Sequence, residues 1–210
     1  MNDSIRDLRT DYTAASLSAV LADPVEQFEE WLHEAIDAKL PEPNGMTLST
    51  VNAQGRPSSR VVLLRGFNTE GFVFYTNYLS RKGQDISEHP VACINFWWPV
   101  LERQVRIEGR IEKVSPEDSD AYFASRPRDS QLSAASSPQS QVIENKDVLL
   151  ERISELQAQY PEDMPRPEHW GGYRLVPEYF EFWQGGPARL HDRFVYVLQD
   201  GSWTTQRLAP

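Results

Sequence analysis

Basic and hydroxyl side chains gather at three places in the sequence where a hydrophobic core has no use for them. The clusters are residues 60–65, 75–82 and 122–130. The first is an apolar strand with an arginine at each end, the second places hydroxyls and two cations at a predicted helix start, and the third follows another helix. Such donors are typical of phosphate sites. Each cluster alone would more often be solvated surface, but together they favour a phosphate-bearing ligand.

The segment 181–193 carries the most unusual combination of residue types in the chain. Two aromatics precede a Gly-Gly turn, and Arg189, His191 and Arg193 then follow at two-residue spacing. If this segment is extended, the spacing predicts that all three side chains share one face. His191 beside an aspartate could suggest a hydrolase, but the motif Gly-x-Ser-x-Gly is absent and Cys93 lies in an apolar run. The residues therefore favour ligand contacts over hydrolysis.

Several other ligand classes lack the residues they need. The four histidines are scattered, so no metal site is predicted. Neither the Gly-x-Gly-x-x-Gly pattern nor the Walker pattern occurs. A net charge of −10 argues against nucleic-acid binding, although a few arginines can still hold one phosphate. A single cysteine, with no apolar run long enough for a bilayer or a signal peptide, predicts a cytoplasmic protein without a membrane partner.

Strand patterns dominate the elements that must position these residues. A capped helix is predicted at 23–40, and further helices at 115–125 and 145–160, while 126–141 shows no clear periodicity. The inward stripe of the first helix comprises Phe28, Trp31, Leu32, Ala35 and Ile36. Strands are predicted at 46–51, 58–65, 72–76, 91–98, 101–114, 172–176, 179–184, 194–198 and 203–208. The pattern favours a mainly β, α+β fold, an antiparallel barrel with helices packed outside.

The order of motifs along the chain closely resembles the pyridoxamine 5'-phosphate oxidase family, from about Arg9 to Pro210. Ten motifs in the family's order are far more specific than any single one. They are Arg60-Val61-Val62-Leu63-Leu64, Tyr75-Thr76-Asn77, Ser80-Arg81-Lys82-Gly83, Leu101-Glu102-Arg103-Gln104, Tyr122-Phe123, Ser125-Arg126-Pro127-Arg128, Gln139-Ser140, Trp170-Gly171-Gly172, Phe182-Trp183-Gln184-Gly185 and Arg189-Leu190-His191-Asp192-Arg193.

The resemblance implies a split β-barrel that works as a homodimer with FMN at the subunit interface. Such an enzyme oxidises pyridoxine 5'-phosphate or pyridoxamine 5'-phosphate to pyridoxal 5'-phosphate, with oxygen as acceptor and hydrogen peroxide as product. It also implies that residues 1–22 form a mobile segment that closes over the substrate, and that 23–210 form a single flavin-binding domain.

The resemblance assigns roles to individual residues as well. The implied flavin contacts are Arg60, Val61, Val62, Leu63, Leu64, Arg65, Tyr75, Thr76, Arg81, Lys82, Gln104, Gln139, Ser140, Trp183 and Arg193. The implied substrate contacts are Arg9, Tyr12, Arg65, Tyr122, Arg126, Ser130, Arg189 and His191. Arg189 and His191 would lie near the reacting carbon and are the catalytic candidates.

Two departures from the family pattern leave alternatives open. Many members have a lysine where this chain has Arg65, and Gly-Ala-Trp where it has Ser133-Ala134-Ala135. The alternatives are a split-barrel flavoenzyme for another substrate, and a non-catalytic module that carries FMN or pyridoxal phosphate. Because Arg126, Arg189 and His191 are all present, the oxidase is the favoured hypothesis.

Overall fold

The computed structural model describes residue 8 and residues 11–210, and this part of the chain contains five α-helices and nine β-strands. The helices are α1 Pro24–Asp37, α2 Arg81–Glu88, α3 Pro116–Ser125, α4 Arg128–Ser136 and α5 Asp147–Gln159. The strands are β1 Gly45–Val51, β2 Pro57–Leu63, β3 Gly66–Asn68, β4 Gly71–Asn77, β5 Val91–Trp98, β6 Arg103–Lys113, β7 Trp170–Gln184, β8 Asp192–Gln199 and β9 Ser202–Leu208. The predicted mainly β, α+β composition is confirmed. None of the helices described is long and apolar enough to cross a membrane.

The strands follow the order β2-β1-β5-β6-β7-β4-β3, and β8 pairs with both β7 and β9. Strand β7 is antiparallel to β4 along its first half and antiparallel to β8 along its second half. The sequence predicts two strands separated at Pro177, whereas the structure has one. Pro177 lies between the residues that pair with β4 and those that pair with β8. Neither pairing therefore needs a hydrogen bond from the amide that proline lacks.

The chain divides into two compact units. One, called here the terminal unit, comprises the described part of 1–46 with 94–108 and 178–210. The other, called here the central unit, comprises 47–93 and 109–177.

The terminal unit is built around aromatic side chains that α1 covers. Asp23 caps α1 as predicted, because its carboxylate accepts hydrogen bonds from the amides of Val25 and Glu26. Phe28 packs 5.0 Å from Phe96, measured between ring centroids. Four of the five residues predicted to face inward are buried. The prediction is wrong for Ile36, which is 49% exposed.

The central unit places two short helices where the sequence clusters occur. Helix α2 begins after Ser80, whose hydroxyl accepts from the amide of Gly83. A side chain at Gly83 would meet the carbonyl oxygen of Tyr78 at 2.1 Å, so this glycine lets the helix start close against the end of β4. Helix α4 lies within the 126–141 stretch that showed no periodicity, and it contributes Leu132 to a core cluster with Phe123, Met164 and Trp170.

The prediction that 189–193 is extended is wrong at its first residue. Pro187–Arg189 form a 3-10 turn, in which the amide of Leu190 donates to the Pro187 carbonyl at 3.0 Å. Ala188 and Arg189 have φ values of 52° and 62°, and β8 begins only at Asp192. Two-residue spacing therefore does not place Arg189 on a common face with His191 and Arg193, because the alternation of a strand starts after it.

Candidate functional site

A cavity of about 710 Å³ lies within the central unit, a volume typical of ligand sites. Strand β2, the end of β4, the start of α2 and the α3–α4 region supply its walls. All three clusters found in the sequence contribute to it. The predicted site residues that line it are Arg60, Val61, Val62, Leu63, Arg65, Tyr75, Thr76, Arg81, Lys82, Tyr122, Arg126, Gln139 and Ser140.

Lys82 is a buried cation at the start of α2, only 8% exposed. Its Nζ donates to Gln139 Oε1 at 3.0 Å, to Thr76 Oγ1 at 3.1 Å and to Ser80 Oγ at 3.3 Å. These partners are neutral. Burial lowers the pKa of Lys82 to about 8, and the nearby charge of Arg60 adds to the effect. The ammonium group is thus held in place without a countercharge among these contacts.

Arg126 has a hydrogen-bond donor that remains unused. Its Nη1 is buried and has no hydrogen-bond partner among the residues that the structure describes. The guanidinium lies 4.7 Å from the ring centroid of Trp170. Burial lowers the pKa of Arg126, Tyr122 opposes this, and Arg65 lowers it further. A buried donor beside a second cation is the arrangement an anionic ligand would satisfy.

Three aromatic rings form one parallel stack in the cavity wall. The rings of Tyr75 and Tyr122 are 3.8 Å apart at 18°, and Tyr75 and Trp170 are 5.6 Å apart at 14°. Burial raises the pKa of Tyr75, so its phenol stays neutral at physiological pH. The stack fixes Tyr122 beside Arg126 and gives the cavity a flat apolar wall.

Not every predicted residue of the central unit reaches the cavity. Leu64 is buried at 5% exposure and does not line it, and Ser130 lies within α4 outside the lining. Sequence reasoning missed several lining residues: Ser58, Ser59, Asn77, Ser133, Ala134, Ser137 and Trp170. Asn77 and Trp170 belong to motifs of the resemblance and could have been included. Ser133 and Ala134 belong to a departure from the family pattern, and only the formation of α4 shows that they line the cavity.

The terminal unit holds the predicted residues Tyr12, Gln104, Trp183, Arg189, His191 and Arg193. The rings of Trp183 and His191 are 4.6 Å apart, and Tyr12 packs edge-on 5.5 Å from Trp183 and 5.6 Å from His191. His191 Nδ1 accepts from the amide of Gly186 at 3.1 Å, which leaves Nε2 to carry the proton of the neutral ring. Arg189 is exposed.

Arg193 is held by an ion network within the terminal unit. Glu181 is 3% exposed and accepts from Arg193 Nε at 2.8 Å and from Arg106 Nη2 at 2.6 Å. Arg193 Nη1 also donates to the carbonyl oxygen of Ala209 at 2.9 Å. The side chain is therefore fixed in one orientation by partners on two sides.

The segment that follows Tyr12 is bound by two carboxylates. The amides of Thr13 and Ala14 each donate to Glu102 Oε2 at 2.9 Å, and the amide of Leu17 donates to Asp192 Oδ2 at 2.8 Å. Arg9 lies outside the described residues. That residues 1–22 are a mobile lid, and 23–210 a single domain, stays a prediction.

The chain is similar to known proteins along almost its whole length. Residues 32–160 match the family described as pyridoxamine 5'-phosphate oxidase, and residues 170–210 match the pyridoxine 5'-phosphate oxidase C-terminal dimerisation region. A pyridoxine/pyridoxamine 5'-phosphate oxidase of Cupriavidus pinatubonensis is 56% identical over 98% of this chain and 99% of its own. One from Acaryochloris marina is 54% identical over 99% of this chain and 96% of its own.

Two solved structures share the fold. PhzG from Burkholderia lata, in complex with tetrahydrophenazine-1-carboxylic acid, superposes with a TM-score of 0.87 at 28% identity, covering 93% of this chain and all of its own. A pyridoxamine 5'-phosphate oxidase-related, FMN-binding protein from Nostoc punctiforme has a TM-score of 0.72 at 20% identity, covering 90% and 98%. The predicted split-barrel fold is confirmed.

An antiparallel fold of this kind, with a cationic cavity and this sequence coverage, defines a split-barrel oxidoreductase of the flavoprotein class. The chain belongs to the pyridoxamine 5'-phosphate oxidase family. The predicted enzyme class, an oxidase of vitamin B6 phosphates, is confirmed at the level of the family. The matched C-terminal region also fits the predicted homodimer.

Proposed function

We propose that this chain is an FMN-dependent oxidase that converts pyridoxine 5'-phosphate or pyridoxamine 5'-phosphate to pyridoxal 5'-phosphate. Oxygen is the electron acceptor and is reduced to hydrogen peroxide, and with the amine substrate water supplies the aldehyde oxygen while the nitrogen leaves as ammonia. The observation that carries the proposal is the cavity of the central unit, where Lys82 and Arg126 are desolvated cations. Among the described residues, neither has a carboxylate as a hydrogen-bond partner. Both the cofactor and the substrate bear a phosphate that such groups would bind.

The cavity fits a flavin nucleotide in its donors as well as in its size. Arg60, Arg81 and Lys82 form a cationic end, with Thr76 and Gln139 as neutral hydrogen-bonding groups and β2 as an apolar wall. When bound, FMN would supply the redox chemistry by taking two electrons and hydrogen from the substrate. The residues of the cavity bind the cofactor, and they hold it against the reacting carbon of the substrate.

Arg65, Tyr122 and Arg126 are the proposed ligands of the substrate phosphate. All three line the cavity, and the positive charge of Arg65 acts on Arg126. Two guanidinium groups and a phenol supply enough charge-assisted donors to bind a phosphate without a metal. Ser130, the fourth residue implied by the resemblance, would have to move from its position in α4 to join them.

Residues of the terminal unit are proposed to complete the site in the dimer. Arg189 and His191 orient the pyridine ring of the substrate, and Gln104, Trp183 and Arg193 contact the flavin. The Nε2–H of His191 would be a donor toward the substrate, because Nδ1 is occupied by the Gly186 amide. Tyr12 packs on both His191 and Trp183 and would exclude water above them.

The test is the absorption spectrum of the purified protein. We expect flavin bands that bleach under anaerobic conditions when pyridoxine 5'-phosphate is added, and that return with hydrogen peroxide when oxygen is admitted. Sedimentation of apo and FMN-loaded protein should show that dimerisation and FMN occupancy rise together. A flavin-saturated monomer would rule out the interfacial site. A bound flavin that no B6 phosphate reduces would leave a non-catalytic module instead.

A second measurement tests whether the substrate must carry a phosphate. The PhzG structure is in complex with tetrahydrophenazine-1-carboxylic acid, a compound that carries a carboxyl group and no phosphate. Because the cavity here presents Arg65 and Arg126 together, we expect reduction by pyridoxine 5'-phosphate and none by unphosphorylated pyridoxine at the same concentration. Equal reduction by both compounds would favour the alternative of another substrate.

A further inference from the structure

Asp85 is a buried carboxylate behind the cationic end of the cavity. It lies on α2, four residues after Arg81 and three after Lys82, and it is 4% exposed. It does not line the cavity, whereas Arg60 does. The side chain of Arg60 keeps 20% of its area exposed, against 5% for Asp85. Asp85 is therefore placed to act on the cavity only through another residue.

Two hydroxyl groups connect Asp85 to Arg60. Asp85 Oδ2 accepts from Thr50 Oγ1 at 2.6 Å and from Ser58 Oγ at 3.1 Å. The same hydroxyls accept from Arg60, Thr50 from Nη1 at 2.8 Å and Ser58 from Nη2 at 2.5 Å. Asp85 Oδ2 lies 3.9 Å from Arg60 Nη2, so the direct ion pair is longer than any of these bridging bonds.

The chemistry of the groups fixes the direction of every bond in this bridge. A carboxylate only accepts hydrogen bonds, a guanidinium only donates them, and each hydroxyl has a single proton. Both hydroxyl protons must therefore point to Asp85, which turns the oxygen lone pairs of Thr50 and Ser58 toward Arg60. A neutral amide at position 85 could donate to the hydroxyls instead of accepting from them, so their protons and lone pairs would no longer be held in the orientation that favours Arg60.

Asp85 also affects the balance of charge around Arg60. Burial lowers the pKa of Arg60, the charge of Asp85 opposes this, and Arg81 lowers it further. The charge of Arg60 in turn lowers the pKa of Lys82. Three cations thus meet at one end of the cavity, and the charge of Asp85 acts on one of them, Arg60.

We propose that Asp85 is a positioning residue for the cofactor, which holds Arg60 in its binding orientation through the hydroxyls of Thr50 and Ser58. The inference rests on the proposed function, since FMN is the ligand that Arg60 would contact. It concerns a residue outside the motifs of the resemblance, and it makes the cationic end of the cavity preorganised before any ligand arrives.

The experiment titrates FMN into the apoprotein and follows the quenching of flavin fluorescence. Asp85→Asn should weaken FMN binding about tenfold, the size expected for one misdirected charge-assisted contact. Glu88→Gln is the matched control, because it removes the same charge from the same helix at an exposed residue that bonds only the amide of Ala53 at 3.1 Å among the contacts described. It should leave FMN affinity unchanged.

A double-mutant cycle separates positioning from a general effect on structure. In an Arg60→Met background, Asp85→Asn should cause no further loss of affinity, because its effect passes through Arg60. Ser58→Ala, which removes one half of the bridge and keeps the buried carboxylate, should weaken binding by a smaller factor and gives a second measurement if Asp85→Asn does not fold.

The outcomes distinguish this inference from the proposed function. Wild-type apoprotein that fails to bind FMN overturns the proposed function itself. Wild-type binding with unchanged affinity in Asp85→Asn and Ser58→Ala overturns the role of Asp85 alone. The same holds if the losses from Arg60→Met and Asp85→Asn simply add.

Discussion

Two cations that line the cavity of the central unit, Lys82 and Arg126, differ from two half-buried cations of the terminal unit in the groups that they contact. In the central unit, Lys82 contacts only neutral groups and Arg126 has an unused donor, within the part of the chain described. In the terminal unit, the half-buried Arg193 and Arg106 share the buried carboxylate of Glu181. Paired cations are fixed in orientation before any ligand binds, whereas desolvated cations without a carboxylate raise the free energy of the empty protein. The difference marks the central unit as the place where an anion is expected.

The largest effect should follow from removing the most buried of the uncompensated cations. Lys82→Met should weaken FMN binding by about ten- to a hundredfold, because a charge-assisted contact is lost. The empty variant should nevertheless be more stable than wild type near neutral pH, since a buried charge has been removed. Titration of the apoprotein with FMN and denaturant unfolding measure the two quantities. A variant less stable than wild type would contradict the expectation that the buried charge of Lys82 lowers the stability of the empty protein.

The pH dependence of the empty protein tests the same residue. The folded-state pKa of Lys82, about 8, lies below that of a free lysine, so between about pH 8 and 10 the unfolded chain binds more protons. The contribution of Lys82 therefore makes wild-type stability rise with pH over that interval. Lys82→Met should lack this rise, and parallel curves for the two proteins would exclude it.

A slightly smaller effect is expected at the opposite end of the cavity. Arg65→Ala should weaken the binding of pyridoxal 5'-phosphate to the FMN-loaded protein by about tenfold or more, through loss of one charge-assisted contact. Arg65→Lys should restore most of the affinity, because the family commonly has lysine there. If Arg65 serves only the substrate phosphate, flavin content should barely change in either variant. Equal affinities in all three proteins would show that Arg65 faces solvent, and loss of flavin would assign it to the cofactor.

In the terminal unit, we expect that removing the buried carboxylate of Glu181 lowers the stability of the protein. Burial alone would raise the pKa of Glu181, but the hydrogen bonds from Arg193 and Arg106 outweigh it and hold the pKa below its usual range. This stabilisation is present above the ordinary glutamate pKa of about 4.3 and is lost as the pH falls below it. Glu181→Gln should cost about 2 kcal/mol at pH 7 and flatten the acid side of the stability curve. Unfolding at a series of pH values measures both.

The smallest effect concerns the segment after Tyr12. Glu102→Gln weakens the acceptor for the amides of Thr13 and Ala14, in a half-exposed position where such bonds contribute little. We expect cleavage by added protease within this segment to be a few-fold faster and KM for the B6 phosphate to rise by a similar factor, with FMN affinity unchanged. A change in FMN affinity larger than that in KM would show that Glu102 acts on the cofactor instead.

Local signals in the sequence predicted most of the fold correctly. The helix capped by Asp23 and the strand at 91–98 were both found, since capping, alternation and turn residues act over a few positions. Helix α4 was missed because its buried side consists of Leu132 between polar residues, so it has no apolar period. The turn at Pro187–Arg189 was missed because Ala188 and Arg189 adopt left-handed φ values that their residue types do not signal.

The residues of the candidate site likewise comprise some that have a local signal in the sequence and others that have none. The clusters at 60–65 and 75–82 were visible because their residue types are unusual at those positions in a strand and a helix start. Asp85 was not, because its importance depends on Thr50 and Ser58, which only the pairing of distant segments brings together. Contacts of that kind have no local pattern from which they could be predicted.

The low pKa of Lys82 also makes it a nucleophile. With a pKa of about 8, roughly one-tenth of these side chains are neutral amines at pH 7, against fewer than one in a thousand for an ordinary lysine. An amine-specific reagent small enough to enter the cavity would thus label Lys82 ahead of exposed lysines such as Lys146. A phosphate bound at Lys82 would favour the ammonium form and suppress the labelling, so the reactivity of one side chain reports whether the cavity is occupied.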